Sequence, residues 1–254
     1  LAELRDTVSK LGKVYLKTVE QQLEAARVIA NTPALLGALT SFEAEGTAKA
    51  ALATKVFGSL EKNALALLLG LVGSRWSSAD DLLVGIEDAA IRAAVLAAPK
   101  VAIDEELVGV ARAVRSDNEL ELALGSKLSP LPAKLTLLEK LFAKKISPAS
   151  FVLLRHLVSQ PRGRRIGESL RQAAVTAADQ AGFELATVTV AAPLDATRLD
   201  RLASVLSGRY GRNVRINLIV DPGVLGGLKV QVGNDVIDGS IAARLSELRH
   251  KLAG

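Results

Sequence analysis

The sequence predicts a mainly α-helical protein that ends in a small α+β domain, and three observations support this division. Up to residue 182, apolar residues recur three and four positions apart, and alanine and leucine are abundant. One stretch of this helical part resembles another stretch 85 residues later. Beyond Gly182, apolar and polar residues alternate and β-branched side chains are frequent. We therefore predict an N-terminal helical bundle with an internal duplication, followed by a β-α-β-β-α unit.

The sequence of residues 1–30 predicts one long amphipathic helix. An upstream segment of a longer chain would lead directly into this helix. Because residue 1 is Leu and the chain has no methionine, we expect this sequence to be a piece of a longer chain. The apolar stripe of the helix consists of Leu4, Val8, Leu11, Tyr15, Val19 and Leu23.

Later helix starts are marked by residues that favour the first position of a helix. Two prolines close together predict a connection, and not a helix, over residues 126–134. The predicted starts are Ser78, Asp104, Ser116 or Asp117, and Ser147 with Pro148 at the first helical position.

The internal repeat lies within a predicted bundle of residues 31–182. At an offset of 85 residues, 12 of the 39 positions from 31 to 69 are identical, including Lys49 with Lys134. The register then slips by one residue at Leu71. Shared richness in Ala and Leu inflates such matches, so two unrelated amphipathic runs remain the alternative. The predicted repeat units are about 31–100 and 116–182.

Residues 183–254 predict the C-terminal α/β domain. Asp195 is placed to cap a helix that ends at Tyr210, before Gly211. The loop 221–227 predicts a hairpin connection between two strands. The predicted strands are 184–192, 214–220 and 228–232, and the last helix spans 240–252.

The composition excludes several kinds of site. Among 254 residues there is no cysteine, which excludes disulfides, iron–sulfur clusters, thiolate zinc sites and cysteine nucleophiles. The uncharged run between Lys62 and Arg75 is shorter than the roughly 20 residues of a membrane-spanning helix, so we interpret it as a buried helix. We find no phosphate-binding glycine motif and predict no cofactor.

The positive charge is concentrated in the last part of the chain. Residues 1–150 carry 18 Lys and Arg against 18 Asp and Glu, whereas residues 151–254 carry 14 against 9. A cluster of five arginines around one loop is a candidate patch for an acidic partner or a phosphate backbone, and a solvated surface is the alternative. Scarce aromatic residues argue against nucleic-acid binding. The candidate patch consists of Arg155, Arg162, Arg164, Arg165 and Arg171.

No spacing typical of catalysis is present in the sequence. His156 lies in an apolar helical run, where a core or boundary histidine is a better interpretation than a general base. An enzyme that pairs His156 with a carboxylate is therefore the weakest of the functional hypotheses.

Residues 216–248, the signature segment, read INLIVDPGVLGGLKVQVGNDVIDGSIAARLSEL. This segment resembles the C-terminal signature of the ATP synthase delta subunit family, the bacterial relatives of the mitochondrial oligomycin-sensitivity-conferring protein. The helical part, including SRWSSADDL at residues 74–82, resembles the longer actinobacterial type. The residues that carry the resemblance are Asp221, Gly226, Gly227, Lys229, Gly233, Asp235, Asp238, Gly239, Ser240, Arg244 and Leu245.

The resemblance implies a non-catalytic peripheral-stalk subunit of the proton-translocating rotary ATP synthase, present in one copy on the cytoplasmic face of the cell membrane. Its helical part would hold N-terminal segments of the alpha subunits. Its C-terminal domain, with the signature residues, would hold the C-terminal helix of the b stalk and so resist rotor torque. The alternative from another class is a basic adaptor module that binds RNA or an acidic protein.

Overall fold

The structure is a computed structural model that describes residues 2–9, 11–126, 128–224, 226–233, 235–241, 243 and 245. The predicted fold class is confirmed: the described residues form helices first and a small mixed sheet afterwards. The chain divides into two compact units, Leu1–Ala177 and Ala178–Gly254.

Eleven helices precede the sheet in the part of the chain that the structure describes. They are α1 (Ala2–Ser9), α2 (Leu16–Ala30), α3 (Pro33–Thr40), α4 (Gly46–Phe57), α5 (Lys62–Gly73), α6 (Ala79–Ala97), α7 (Ile103–Ser116), α8 (Asn118–Gly125), α9 (Leu131–Phe142), α10 (Pro148–Ser159) and α11 (Ile166–Gln180).

The single helix predicted over residues 1–30 is two helices in the structure, α1 and α2. Gly12 lies between them and favours the break, because glycine loses the most backbone freedom in a helix. Tyr15 has an extended backbone, with φ −118° and ψ 160°, and its N–H donates to Thr18 Oγ1 at 3.4 Å. This bond supports the start of α2 at the next residue.

Local capping signals placed three helix starts correctly. Ser78 Oγ accepts from the Asp81 N–H at 3.1 Å, and Asp117 and Ser147 cap α8 and α10 in the same way. The predicted start at Asp104 is wrong, because α7 begins at Ile103 and Asp104 is buried in its first turn. The predicted connection 126–134 is shorter than expected, because α9 begins at Leu131 and accommodates Pro132 in its first turn, where a missing N–H costs nothing.

The core of the helical unit is formed by small and branched side chains around α6. The segment between α5 and α6 packs closely on α6 at Gly85, where an added Cβ would lie 2.2 Å from the Trp76 ring. The Trp76 indole is held there by a hydrogen bond of 2.7 Å from its Nε1 to the Leu71 carbonyl. The run predicted as a buried helix is α5, which buries one face in this core. No helix among the described residues is long and apolar enough to cross a membrane.

The C-terminal unit is a four-stranded sheet with one helix between its first two strands, within the described residues. The strand order is β2-β1-β3-β4, with β2 parallel and β3 antiparallel to β1. Asp195 caps α12 by accepting from the Arg198 N–H, as predicted, and Gly211 ends it at φ 67°. The elements are β1 (Phe183–Val190), α12 (Ala196–Tyr210), β2 (Asn213–Val220), β3 (Leu228–Val232) and β4 (Asp235–Asp238).

The hairpin predicted at residues 221–227 is wrong. β2 and β3 lie on opposite sides of β1, so this loop crosses the end of β1 between them. The hairpin of this unit joins β3 to β4, a strand that the sequence did not predict. Most of the predicted last helix, 240–252, lies outside the described residues.

The contact between Gly85 and Trp76 leads to a stability prediction. Gly85→Ala should lower the free energy of unfolding by about 1–3 kcal/mol, because the new methyl group must displace the packed indole ring. Gly109→Ala is the matched control, since Gly109 lies in α7 with no atom within 4 Å of an added Cβ. The control should be up to about 1 kcal/mol more stable through helix propensity. Urea unfolding of both variants measures this, and equal midpoints would contradict it.

Candidate functional site

The loop 221–227 is attached to the end of β1 by a backbone hydrogen bond and turns through hydrogen bonds between its own residues. The Asp221 N–H donates to the Val190 carbonyl at 2.8 Å, which attaches the loop to the last residue of β1. The Asp221 carboxylate accepts from the Gly223 N–H at 2.9 Å, and its carbonyl accepts from Val224 at 3.1 Å. Asp221 therefore reverses the chain at the end of β2.

Two glycines allow this loop to pack against the residues that follow β4. Gly226 and Gly227 have φ values of 126° and 79°, which other residues rarely adopt. A Cβ on Gly227 would lie 2.4 Å from the Gly239 carbonyl oxygen. The Gly226 carbonyl accepts from the Ile241 N–H at 3.1 Å, and the Leu228 carbonyl accepts from Gly239 at 2.9 Å. These bonds extend the pairing beyond β3 and β4.

The acidic signature residues around β4 also make internal contacts. Asp235 accepts from the Tyr210 hydroxyl at 2.5 Å, and this bond to a carboxylate raises the pKa of Tyr210. Asp238 lies opposite Lys229 and accepts from the Ser240 N–H at 3.0 Å. Hydrogen bonds from the side chain and backbone of Ser240 lower the pKa of the Asp238 carboxyl.

The remaining signature residues complete this assembly of turns. Gly233 has a φ of 55° in the turn between β3 and β4. Ser240 Oγ accepts from the Ala243 N–H at 3.2 Å, as expected of a helix cap. Leu245 is half exposed, and Arg244 lies outside the described residues. Each described signature residue from Asp221 to Ser240 thus has a position in the turns, strands or cap of this unit.

The arginine cluster has a different geometry from the predicted exposed patch. Arg162 is the second and Arg164 the last residue of a turn over residues 161–164, in which the Arg164 N–H donates to the Pro161 carbonyl at 2.9 Å. Both central residues of the turn have positive φ, 46° at Arg162 and 76° at Gly163. The turn directs both guanidinium groups at Glu87, a buried residue of α6. Arg164 Nη2 lies 2.9 Å from Glu87 Oε2, and Arg162 Nη2 bonds to the same oxygen.

His156 contacts the same carboxylate. Its Nε2 lies 3.5 Å from Glu87 Oε1, and its buried Nδ1 has no hydrogen-bond partner. Burial alone would raise the pKa of the Glu87 carboxyl. The bond with His156 and the positive charges of Arg162 and Arg164 outweigh burial and hold that pKa below its ordinary value of 4.5. The cluster therefore keeps Glu87 ionised inside the helical unit.

Sequence reasoning missed Glu87, although a signal was present. Glu87 and Asp88 are adjacent acidic residues in the middle of an apolar helix, where charges need partners. Asp88 has its own partners: Arg92 Nε at 3.1 Å and the Thr176 hydroxyl at 2.7 Å.

The other arginines of the cluster point elsewhere. Arg171 pairs with Glu168 on its own helix at 2.6 Å, whereas Arg155 and Arg165 are exposed. The structure thus brings Arg162 and Arg164 together with His156, and leaves Arg155 and Arg165 for contacts with solvent or a partner. Among the described residues, no group of three or more His, Asp or Glu side chains is placed to hold a metal ion.

Comparison with known proteins extends over nearly the whole chain. Residues 88–252 match the family model described as ATP synthase delta (OSCP) subunit. The ATP synthase subunit delta of Leifsonia xyli subsp. xyli is 44% identical over 96% of this chain and 92% of its own length. The subunit of the same name from Streptomyces griseus subsp. griseus is 36% identical over 94% and 90%. Among solved structures, a chain of the Toxoplasma gondii mitochondrial ATP synthase hexamer aligns with a TM-score of 0.42, at 23% identity, over 66% of this chain and 97% of that chain.

The buried cluster predicts a pH-dependent contribution to stability. Glu87→Gln should lower the free energy of unfolding at pH 7 by on the order of 3 kcal/mol, because it leaves two partly buried cations without their buried charge partner. Because the folded pKa of Glu87 lies below its unfolded value, this contribution is present above about pH 4.5 and is lost as the pH falls through the folded pKa.

Unfolding curves of wild type and variant from pH 7 to pH 3 measure the effect, and their difference should shrink at the acidic end. Glu168→Gln is the control, since Glu168 is an exposed partner of Arg171 and should contribute less than about 1 kcal/mol. A constant difference between wild type and Glu87→Gln at all pH values would disprove the assignment.

The conformation of Gly227 predicts that its substitution destabilises the C-terminal unit. Gly227→Ala should cost about 2–4 kcal/mol, because the side chain is strained at positive φ and collides with the backbone of Gly239. Gly208→Ala in α12 is the matched control, with no atom within 4 Å of the added Cβ. Thermal melts followed by circular dichroism should separate the two variants, and an unchanged melt for Gly227→Ala would refute the prediction.

Proposed function

The chain belongs to the ATP synthase delta (OSCP) subunit family, and we propose that it is a non-catalytic stator component of the proton-translocating rotary ATP synthase. The observation that carries this proposal is the match to relatives named ATP synthase subunit delta over more than nine tenths of the chain. One copy would join the complex peripherally, on the cytoplasmic face of the cell membrane.

We assign a different partner to each of the two compact units. The helical unit would hold N-terminal segments of the alpha subunits in the catalytic head. The C-terminal unit would hold the C-terminal helix of the b stalk. A link between the head and the stalk would stop the head from turning with the rotor.

Exposed apolar side chains on the helical unit support a role in binding partner helices. Phe42, Leu122 and Leu128 are 72%, 73% and 95% exposed. Amphipathic helices bind such surfaces by placing their apolar stripe against them. Val205 and Val236 give the C-terminal unit exposed apolar side chains of its own, at 63% and 49%.

Reconstitution with the catalytic head tests the proposal. The full chain should co-elute on size exclusion with a head that lacks its delta subunit, at one copy per head. A synthetic peptide of the alpha N-terminal segment should displace it, because the peptide and the head compete for the same surface.

A peptide of the same composition in scrambled order is the control and should not displace the chain. Failure of the folded chain to co-elute would count against the stator proposal. Salt-sensitive, saturable binding to RNA in place of head binding would favour the basic adaptor module instead.

A further inference from the structure

Glu87 binds two arginines of the cluster that the sequence predicts as a patch for an acidic or phosphate-bearing partner. Arg162 and Arg164 both place a guanidinium group on its carboxylate, and Arg164 Nη2 lies 2.9 Å from Oε2 and 3.3 Å from Oε1. The Glu87 side chain is only 5% exposed, whereas the Arg164 side chain is 30% exposed. The two guanidinium groups therefore lie between a buried carboxylate and the surface of the helical unit.

The turn that carries these arginines is strained at Arg162. Its φ of 46° is the one positive value at a residue other than glycine among the described residues. This conformation is costly for arginine and persists only where other contacts hold it. Glu87 supplies such a contact. The other carboxylate near Arg162 is that of Asp80, which lies 4.0 Å from Nη1 and is 72% exposed, so it binds weakly.

The surface around this turn carries a surplus of positive charge. Residues 161–165 contain three arginines and no acidic residue. Arg165, directly after the turn, and Arg155 on α10 are exposed. Without the pairs to Glu87, Arg162 and Arg164 would join Arg165 to give three cations within four residues. Guanidinium groups spaced so closely are suited to a chain of closely spaced phosphates.

The same surface is poorly suited to reading nucleic-acid bases. No Phe, Tyr or Trp occurs in the sequence from residue 152 to residue 182. Single-stranded nucleic acids are bound largely by stacking of their bases on aromatic rings. The charges of this segment therefore favour a polyanion that is recognised by its phosphates alone.

We propose that Glu87 is an autoinhibitory counter-ion, which withholds Arg162 and Arg164 from a surface that binds a chain of phosphates. In the closed turn, the exposed arginines meet the polyanion and the two paired arginines do not. When the pairs to Glu87 break, the strained turn relaxes and the surface gains two cations. The inference is independent of the proposed function, because no stator partner enters it.

Binding of inorganic polyphosphate to the full chain tests the inference, first through a matched pair of arginines. Arg165→Gln and Arg164→Gln each remove one positive charge, but Arg164 is held by Glu87 and Arg165 is exposed. Arg165→Gln should weaken binding about threefold, whereas Arg164→Gln should leave it unchanged. Fluorescence anisotropy of labelled polyphosphate measures both affinities. Equal weakening by the two variants would overturn the autoinhibitory contact.

Glu87→Gln tests the release of the two arginines. It should bind polyphosphate about tenfold more tightly than the wild type, and with a steeper salt dependence, because two further cations meet phosphates. Glu139→Gln is the matched control, since it changes the net charge equally and Glu139 is exposed on α9. Equal gains by both variants would show a general charge effect and overturn the proposal. Circular dichroism melts show which variants are folded, and the arginine pair decides if Glu87→Gln is not.

An RNA with the same number of phosphates separates recognition of phosphates from recognition of bases. It should bind no more tightly than polyphosphate to the wild type or to Glu87→Gln. Tighter binding of the RNA would overturn the phosphate chain as the ligand. No binding of polyphosphate by the folded wild type and Glu87→Gln would overturn the surface itself. The proposed function would then still stand, because co-elution with the catalytic head tests it separately.

Discussion

The helical unit depends on α6, a helix that is buried around almost its whole circumference. From Leu82 to Ala94, Val84 alone is exposed. Small side chains on α6 let the neighbouring helices approach it closely from several sides. This close approach explains the many alanines of α6 and its Gly85. The same burial makes charges on α6 costly unless they are paired. Glu87 is therefore stabilised by groups that lie 69 to 77 residues further along the chain, in α10 and the turn after it.

Local signals were enough to predict the fold class and the starts of four helices. Ser78, Asp117, Ser147 and Asp195 cap helices through contacts within three residues, so their effect is visible in the sequence. Strand order is different, because it depends on pairing between distant segments. Alternation identified β2 and β3, but nothing local to them shows that β1 lies between them. The pairing of Arg162 and Arg164 with the buried Glu87 was missed for the same reason.

The signature residues illustrate how a family motif relates to a binding surface. Gly226 and Gly227 have positive φ, Asp221 and Asp238 accept backbone hydrogen bonds, and Ser240 acts as a cap. A motif of this kind identifies the family because its architecture tolerates few replacements. The surface that meets a partner is formed by side chains that project from this architecture. The sequence therefore identified the unit through its turns, whereas the candidate contact residues became visible only in the structure.

The path of loop 221–227 has a consequence for insertions and deletions. The loop connects two strands that flank β1, so it spans two interstrand spacings, about 9.5 Å. It must also leave room for Gly227 to pack against the backbone of Gly239. A shorter loop would pull Leu228 out of register with Val190, and a one-residue shift in a strand exchanges its two faces. The number of residues from Asp221 to Gly227 is thus as constrained as their identity, and length variation in related chains is expected to fall in other loops.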